Sequence, residues 1–416
     1  MVNPILDLST RFRALKHRNF QLFITGQLIS LIGTWMQNIA QQWLVYRLTK
    51  SAFVLGLFGF ASQAPMLCLA WMGGYVGDRY NRHRGVITTQ TLSMILAFAL
   101  AALTLTHLIR TWHLMVIAFL VGTVNAFDVP IRQSFFVHMV GKEDLPNAIG
   151  LNSSIFNGAR VIGPAIGAFT ILLVGEGWCF FLNGLSFVAV IIALLMMRIE
   201  RDETKKAGES PVRSFIEGFR FAMRDVPIRS TLFLLSMLSI FGLQYSVFLP
   251  IYASDILHGG PGTLGWLTSA AGLGALLGAL QFAARTEYKG LARWIATACT
   301  ICAICLLIFS FAASFWLCAL VLFAVGFAAT SQMASTNTII QQRVPDEMRS
   351  RLMAVYATMF MGVQPIGALI AGGIAKHIGA PHTLLVFGTV VLIGCMVFVS
   401  RVVVKVKREQ PVTASG

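Results

Sequence analysis

A charged side chain inside an otherwise apolar segment is the first feature of this 416-residue sequence that suggests chemistry. Arg160 lies in the stretch NGARVIGPAIG, which runs from Asn157 to Gly167. A guanidinium stays protonated in proteins, so it requires an anion, water or carbonyl oxygens as partners. Facing the hydrocarbon of a bilayer would cost it about 3 kcal/mol or more. We therefore expect Arg160 to face a polar interior and to bind an anionic or carbonyl-rich small molecule, with a structural pair to Asp128 as the alternative.

Asp128 is the carboxylate that lies well inside a predicted membrane span, and the residues alone leave two roles open to it. It can form an ion pair with Arg132, one helical turn later, with the acidic residue in the favourable N-terminal position. It can also carry protons, because carboxylates are common proton carriers inside membranes. The two roles compete, since an ion pair stabilises the charged form of the carboxyl group.

Polar side chains form stripes on two predicted helices. At 100° per residue, one face of the helix around Arg160 carries Ser153, Asn157, Arg160, Pro164 and Gly167. A similar stripe near the N terminus consists of Gln27, Ser30, Thr34, Asn38 and Gln41. Within a membrane, such stripes face the interior of a helix bundle. We expect both to line a water-filled cavity that binds a small-molecule substrate, and hydrogen bonding across a dry helix interface is the alternative.

The elements that must position these residues follow from the composition. Of the residues, 56% are hydrophobic and 12% are charged, and the mean hydropathy is +0.74. Soluble domains carry about 25% charged residues, so an all-α membrane protein in the lipid bilayer is indicated. About 20 apolar residues make one helical crossing. Twelve such runs are predicted, at 20–46, 52–77, 86–107, 112–137, 147–174, 178–197, 228–254, 262–284, 291–312, 314–340, 350–376 and 381–403.

The basic residues lie in the breaks between these runs and indicate the topology. An even number of crossings places both termini on one side of the membrane. With the termini in the cytoplasm, 27 of the 32 Lys and Arg residues lie on the cytoplasmic side. The other side has only Arg47, Lys50, Arg110 and Lys376, and Arg160 lies within a span. This bias predicts cytoplasmic termini, and it accounts for the net charge of +15 without a nucleic-acid partner.

The chain divides near its middle into two related halves. Residues 1–197 and 228–416 are each predicted to contain six crossings, and residues 198–227 form a cytoplasmic linker. The segments around Pro164 and Pro365 are similar in sequence. Within the linker, RSFIEGFRFAMR is predicted to form an amphipathic helix on the cytoplasmic membrane surface. Two six-helix halves are typical of transporters, whose substrate cavity lies between the halves near the midplane of the membrane.

The stretch GYVGDRYNRHR, at the end of the second predicted crossing, resembles the signature of the major facilitator superfamily. The residues that fit the signature are Gly74, Gly77, Asp78, Arg79 and Arg82. The resemblance implies a gate at the cytoplasmic side, which gives Asp128 a third role. The expected gate consists of Asp78, Arg79, Arg82, Asp128 and Arg132. The matching stretch in the second half, GALQFAARTEYKG, contains no equivalent aspartate, so the gate is expected to be asymmetric.

A wider pattern resembles the branch of this superfamily that contains enterobactin exporters and macrolide efflux proteins. It includes LKHRNFQLFITGQLIS, DVPIRQSFF and NAIGLNSSIFNGARVIGP, and it extends over essentially the whole chain. The resemblance implies export of a siderophore or a drug-like amphiphile across the bacterial inner membrane by alternating access, often driven by protons. The stretch GARVIGPAIG also resembles the helix 5 motif of antiporters, although Ala168 stands where a second glycine is common. We expect Gly163, Pro164 and Gly167 to form a hinge.

Other kinds of chemistry find little support in the sequence. It contains no phosphate-binding loop, zinc-protease or serine-hydrolase motif, so we expect no enzyme activity. Cys299, Cys302 and Cys305 have the spacing of part of an iron–sulfur motif. They lie in an apolar run without a fourth cysteine, and we interpret them as small apolar residues. We expect a monomer without metal or cofactor. A lysophospholipid flippase and a non-transporting membrane sensor of the same fold are the alternative functions.

Overall fold

The computed structural model describes residues 12–79, 81–198, 211–285 and 290–400, and all regular secondary structure in these ranges is helical. A 3₁₀ turn at Arg13–Lys16 precedes six long helices. They are α1 (Arg18–Thr49), α2 (Ala52–Arg79), α3 (Arg82–Leu105), α4 (Thr111–Val140), α5 (Leu145–Val174) and α6 (Glu176–Leu195).

The second part of the chain is helical in the same way but is interrupted more often. Its helices are α7 (Pro211–Arg224), α8 (Val226–Met237), α9 (Tyr245–Ile251), α10 (Pro261–Ala283), α11 (Leu291–Phe311), α12 (Phe315–Arg343), α13 (Asp346–Ala357) and α14 (Gln364–Phe398). Wider π turns occupy Leu238–Gly242, Tyr252–Ile256 and Thr358–Gly362. The hydrophobic pattern does not predict these turns, because the extra residue of a π turn leaves the run apolar.

The helices account for the predicted crossings. Ten helical segments of the described residues are long and apolar enough to cross a membrane. The last of them, Glu347–Phe398, has 52 residues and is broken at Gly379, whose φ is 80°, so its length provides two crossings. Helix α1 has 32 residues and is long enough to cross a membrane. It is not counted among these ten segments because its glutamines lower its mean hydropathy. An all-α fold with twelve spanning helices is thereby confirmed.

The chain forms two compact units. Unit 1 contains the described residues of Met1–Leu48 and Ala64–Gly208, and unit 2 contains those of Thr49–Gln63 and Glu209–Gly416. The first turns of α2 thus belong to unit 2, although the rest of α2 belongs to unit 1. The reason is a close contact with α14, where a Cβ on Gly56 would lie only 2.5 Å from the carbonyl oxygen of Ala368.

Unit 1 is assembled through small residues that let its helices approach closely. Gly33 of α1 lies against α6, where an added Cβ would come 2.5 Å from Asn183 Oδ1. Gly184 of α6 lies against α3, where an added Cβ would come 2.6 Å from a ring carbon of Phe98. Helix α6 therefore packs tightly on both α1 and α3.

Unit 2 uses the same device between α10 and α12. A Cβ on Gly274 would lie 1.9 Å from the carbonyl oxygen of Phe323, and one on Gly278 would lie 2.6 Å from that of Phe327. Gly326 of α12 makes the reciprocal contact with the carbonyl oxygen of Ala271. Both backbones approach so closely that only glycine fits at these positions.

Candidate functional site

The Arg160 side chain of α5 lies over an aromatic ring of α1. Its guanidinium carbon is 5.8 Å from the centroid of the Trp35 ring, which is within cation–π distance. The same tryptophan packs edge-on against Phe156, at 5.8 Å between ring centroids. Arg160 is partly buried and forms no ion pair with any carboxylate in the described part of the chain. The site therefore combines a permanent cation with two aromatic rings.

Glycines on α5 hold this helix against α1. A Cβ on Gly163 would lie 2.5 Å from the Cβ of Trp35, and one on Gly167 would lie 2.7 Å from Ile39 Cγ2. Pro164 is buried between them, and α5 is continuous through it. The three predicted hinge residues thus lie in a helix interface, where they fix the distance between Arg160 and Trp35.

The predicted substrate-binding residues differ in their exposure. On α5, Ser153 is exposed and Asn157 is partly buried, and the Asn157 amide donates to the Ser153 carbonyl at 2.9 Å. On α1, Thr34 and Asn38 are partly buried and therefore remain accessible.

Two further members of the α1 stripe lie deep in unit 1. Gln27 and Gln41 are 3% and 5% exposed. Within the described residues, the Gln27 Oε1 and the Gln41 Nε2 have no hydrogen-bond partner. A buried amide atom without a partner is costly, so each of these positions suits water or a polar ligand.

One polar contact beside this stripe was not predicted from the sequence. Asn183 of α6 donates to the Gln37 side-chain oxygen at 2.8 Å, and Ser186 donates to Asn183 Oδ1 at 3.0 Å. Asn183 and Ser186 lie in an apolar run. The hydrophobic pattern of this run predicts a spanning helix but does not predict which side chains face α1. This part of the α1–α6 interface is a buried, hydrogen-bonded contact beside the stripe.

Asp128 of α4 is 3% exposed and has three partners within unit 1. Its Oδ2 lies 3.2 Å from the Arg132 guanidinium. Its Oδ1 accepts hydrogen bonds from Thr89 at 2.6 Å and from Gln90 at 3.0 Å. The structure therefore forms the predicted ion pair one turn along α4, and it does not form the alternative pair with Arg160. The sequence pattern did not predict the contacts of Thr89 and Gln90 with Asp128.

The predicted gate is described only in part. The side chains of Asp78 and Arg79 lie outside the described residues. Arg82 contacts the imidazole of His138, and His83 lies within hydrogen-bonding distance of the Leu194 carbonyl, at 2.8 Å. We call the region around Arg82, Asp128 and Arg132 the charged end of unit 1. His138 contacts Arg82 in this region, and the superfamily signature did not predict this contact.

Unit 2 contains a buried polar cluster of its own on α12. Ser331, Gln332, Ser335 and Thr336 are all 0% exposed. Neither amide atom of Gln332 has a hydrogen-bond partner among the described residues. The sequence analysis did not predict this cluster. Its signal is nevertheless visible in the sequence, because its four polar residues lie within one and a half turns of a single helix.

The side chains that could bind a metal ion are dispersed in the described part of the chain. In the described ranges, no three His, Cys, Asp or Glu side chains lie close enough together to hold a metal ion. The seven cysteines, all within the described residues, form no disulfide bond. Cys299, Cys302 and Cys305 are buried, in agreement with their interpretation as apolar packing residues.

A comparison with known families identifies the class of protein that this fold and site define. Residues 9–415 match the family of transmembrane secretion effectors of the major facilitator superfamily, so the chain belongs to that family. A solved POT family transporter in complex with 5-aminolevulinic acid superposes with a TM-score of 0.73 at 12% identity, covering 92% of this chain and 96% of that one. The resemblance to the superfamily is confirmed, and the protein is a multi-pass membrane transporter.

Individual relatives of the chain include efflux proteins. It is 24% identical to the multidrug efflux pump Tap of Mycolicibacterium fortuitum, over 88% of this chain and 91% of that protein. It is 23% identical to the staphyloferrin A transporter of Staphylococcus aureus, over 90% and 94%. It is 21% identical to macrolide efflux protein A of Streptococcus pyogenes, over 94% and 98%. Over most of its length, the chain is thus similar to two proteins named for efflux and to a staphyloferrin A transporter.

Proposed function

We propose that this transporter exports an anionic or carbonyl-rich amphiphile, such as a siderophore or a drug-like compound, across the bacterial inner membrane by alternating access. The observation that supports this proposal is Arg160. It is a permanent cation in the interior of a spanning helix, and no carboxylate of the described residues neutralises it. A substrate that brings an anion or several carbonyl oxygens would supply the missing partner.

The neighbours of Arg160 suit the apolar part of such a substrate. Trp35 and Phe156 offer aromatic faces within 6 Å of one another, and aromatic rings bind flat or amphiphilic molecules. Asn157, Thr34 and Asn38 provide hydrogen-bonding groups on the same two helices. The combination of one charge, a few polar groups and aromatic walls is typical of a small-molecule site.

Gln27 and Gln41 extend the proposed site along α1. Each keeps an amide atom without a partner in the described part of the chain. A polar substrate group, or a water that the substrate displaces, would satisfy these atoms. Ser153 marks the exposed end of the α5 stripe, where the substrate would enter.

We propose that Asp128 stabilises the charged end of unit 1 rather than carrying protons. The ion pair with Arg132 and two hydrogen bonds hold the same carboxylate in place. Together with Asp78, Arg79 and Arg82, it would close the cytoplasmic side in one state of the transport cycle. Proton carriage by Asp128 is the alternative to this structural role, and the test of Asp128 given below separates the two.

The substrate proposal is tested by ligand-dependent stabilisation of the purified transporter. Wild-type protein is screened against siderophores, anionic and cationic drugs, and lysophospholipids, since a ligand at 100 times its Kd stabilises the folded form by about 2.7 kcal/mol. We expect stabilisation by an anionic or carbonyl-rich amphiphile. Stabilisation by lysophospholipids alone would favour the flippase, and exclusive stabilisation by cations would contradict the proposal.

The role of Arg160 is tested with the compound that this screen selects. Arg160→Ala is expected to weaken its binding about tenfold or more, because a hydrogen bond to a charged group contributes about 1.5–3 kcal/mol. Arg160→Lys should retain part of the affinity. The matched control is Arg285→Ala, which removes another arginine–tryptophan contact, at 5.6 Å from Trp294 in unit 2, and should leave affinity unchanged. Unchanged affinity in a well-folded Arg160→Ala protein would exclude Arg160 as a ligand.

A further inference from the structure

The linker helix α7 is attached to unit 2 along one side. Ala222 is fully buried in an apolar cluster that also contains Leu232 and Leu352. Gly218 lies directly on α13, where an added Cβ would come 2.7 Å from the carbonyl oxygen of Arg351. This side of α7 therefore needs no further partner.

A charged contact strengthens the attachment. Glu217 accepts from the Arg351 guanidinium and forms an ion pair with Arg213, one turn earlier on α7, at 3.1 Å. The Arg213 charge is thus compensated within the helix. Because Glu217 is engaged by two arginines, it is not available to neutralise the remaining basic residues of α7.

The other side of α7 exposes large apolar side chains. Ile216 is 48% exposed and Phe219 is 38% exposed. The Phe219 ring stacks on that of Phe215, with 6.5 Å between centroids and 17° between planes. These side chains form a contiguous apolar strip next to the buried face.

Two arginines border this strip. Arg220 follows Phe219 directly and lies one turn after Ile216, and Arg224 lies one turn further along the same side. Both are exposed, and neither forms an ion pair within the described ranges. Of the described acidic residues close to them in sequence, Glu217 is engaged by Arg213 and Arg351, and Asp225 accepts from the Ile228 backbone N–H at 2.9 Å and caps α8.

We propose that this surface of α7, formed by Ile216, Phe219, Arg220 and Arg224, binds anionic phospholipids. The phosphate groups would lie against Arg220 and Arg224, and the two apolar side chains would enter the boundary between headgroups and acyl chains. An exposed apolar strip beside cations that have no carboxylate partner among the described residues is complementary to a surface that presents anions above hydrocarbon. A soluble acidic partner would leave the strip uncovered, and a neutral lipid would leave the arginines unpaired.

Lipid binding at α7 would also act on the transport domain, since α7 lies on α13. Helix α13 leads through the π turn Thr358–Gly362 into α14. A lipid that holds α7 in place would therefore stabilise the start of a long spanning segment. We expect the full-length protein to be more stable with phosphatidylglycerol than with phosphatidylcholine.

Native mass spectrometry of the full-length protein with defined lipids tests this proposal. Wild type should retain phosphatidylglycerol in preference to phosphatidylcholine. Arg220→Gln combined with Arg224→Gln should weaken phosphatidylglycerol binding by about fivefold or more, because each arginine near an anionic surface contributes several-fold in affinity. Ile216→Ser combined with Phe219→Ser should weaken it without any change in charge.

The matched control is Arg84→Gln combined with Lys142→Gln, which removes two exposed charges from unit 1 and should leave phosphatidylglycerol retention unchanged. An equal loss in this control, or full retention in the Arg220 and Arg224 double variant, would overturn the proposal. If the variants fold poorly, wild type is labelled with a photoactivatable phosphatidylglycerol and its peptides are mapped. Labels on residues 213–224 support the site, and their absence there contradicts it.

Discussion

At Arg160, the energies of the visible contacts do not balance the cost of burying the charge. A charged residue at the centre of a spanning helix costs about 3 kcal/mol. A cation–π contact such as the one with Trp35, at 5.8 Å, returns about 0.5–2 kcal/mol, depending on its exposure to water. The difference must come from water, from carbonyl oxygens or from a bound anion. This imbalance is the physical reason to regard Arg160 as a ligand rather than as part of the scaffold.

Asp128 presents the opposite situation, because its charge is fully compensated. Asp128→Asn preserves two hydrogen-bonding positions but leaves Arg132 without its anion, so we expect a loss of about 1–3 kcal/mol in stability. Adding Arg132→Gln should restore part of it, since the uncompensated cation is then removed. Thermal unfolding of the purified variants measures both effects.

Transport by the same variants separates the two roles of Asp128. If Asp128 is structural, Asp128→Asn transporters that remain folded should still respond to an imposed pH gradient in proteoliposomes. Loss of this response at unchanged thermal stability would instead identify Asp128 as the proton carrier.

At the scale of single helices, the sequence predicts which segments are helical much better than it predicts which side chains the helices bring into contact. The twelve apolar runs predict the helices, because a bilayer admits few other ways to satisfy the backbone. Asn183, in contrast, pairs with Gln37 through the rotation of α6 about its axis, which an all-apolar run does not specify. The π turns and the contact of Gly56 with α14 also depend on tertiary packing. The candidate site was predicted in part, since Arg160 was evident but Trp35 was not.

The α1–α5 interface gives a direct test of helix packing. Gly163→Ala places a Cβ within 2.5 Å of Trp35 Cβ and 3.0 Å of the Ile32 carbonyl oxygen, so it should destabilise the protein by about 1–3 kcal/mol. Gly158→Ala on the same helix meets nothing within 4 Å and should be neutral or stabilising, because alanine favours helix. Thermal unfolding compares the two. Equal stability of both variants would contradict the close approach of α5 to α1.

At the scale of the whole molecule, each unit contains buried polar side-chain atoms that have no hydrogen-bond partner among the described residues. In unit 1 they are Gln27 and Gln41, and in unit 2 they include Gln332 and Thr336. Unsatisfied polar atoms are rare in stable interiors, and their presence in both units is what a protein that rearranges its contacts during a cycle would require. Neither cluster alone indicates the substrate, but both point to polar interiors in which water or ligand completes the hydrogen bonding.

Membrane topology is the remaining property of the whole molecule that the basic residues predict. With 27 of the 32 Lys and Arg residues on the side of the termini, α7 should lie in the cytoplasm. The test uses single cysteines in a Cys68→Ser background, because Cys68 is the exposed native cysteine and the other six are buried. Arg213→Cys on α7 should react with a membrane-impermeant thiol reagent only after permeabilisation. Leu108→Cys, which lies between α3 and α4 and is 64% exposed as leucine, should react from outside intact cells. The reverse pattern would invert the topology and would place the anionic-lipid surface of α7 on the opposite leaflet.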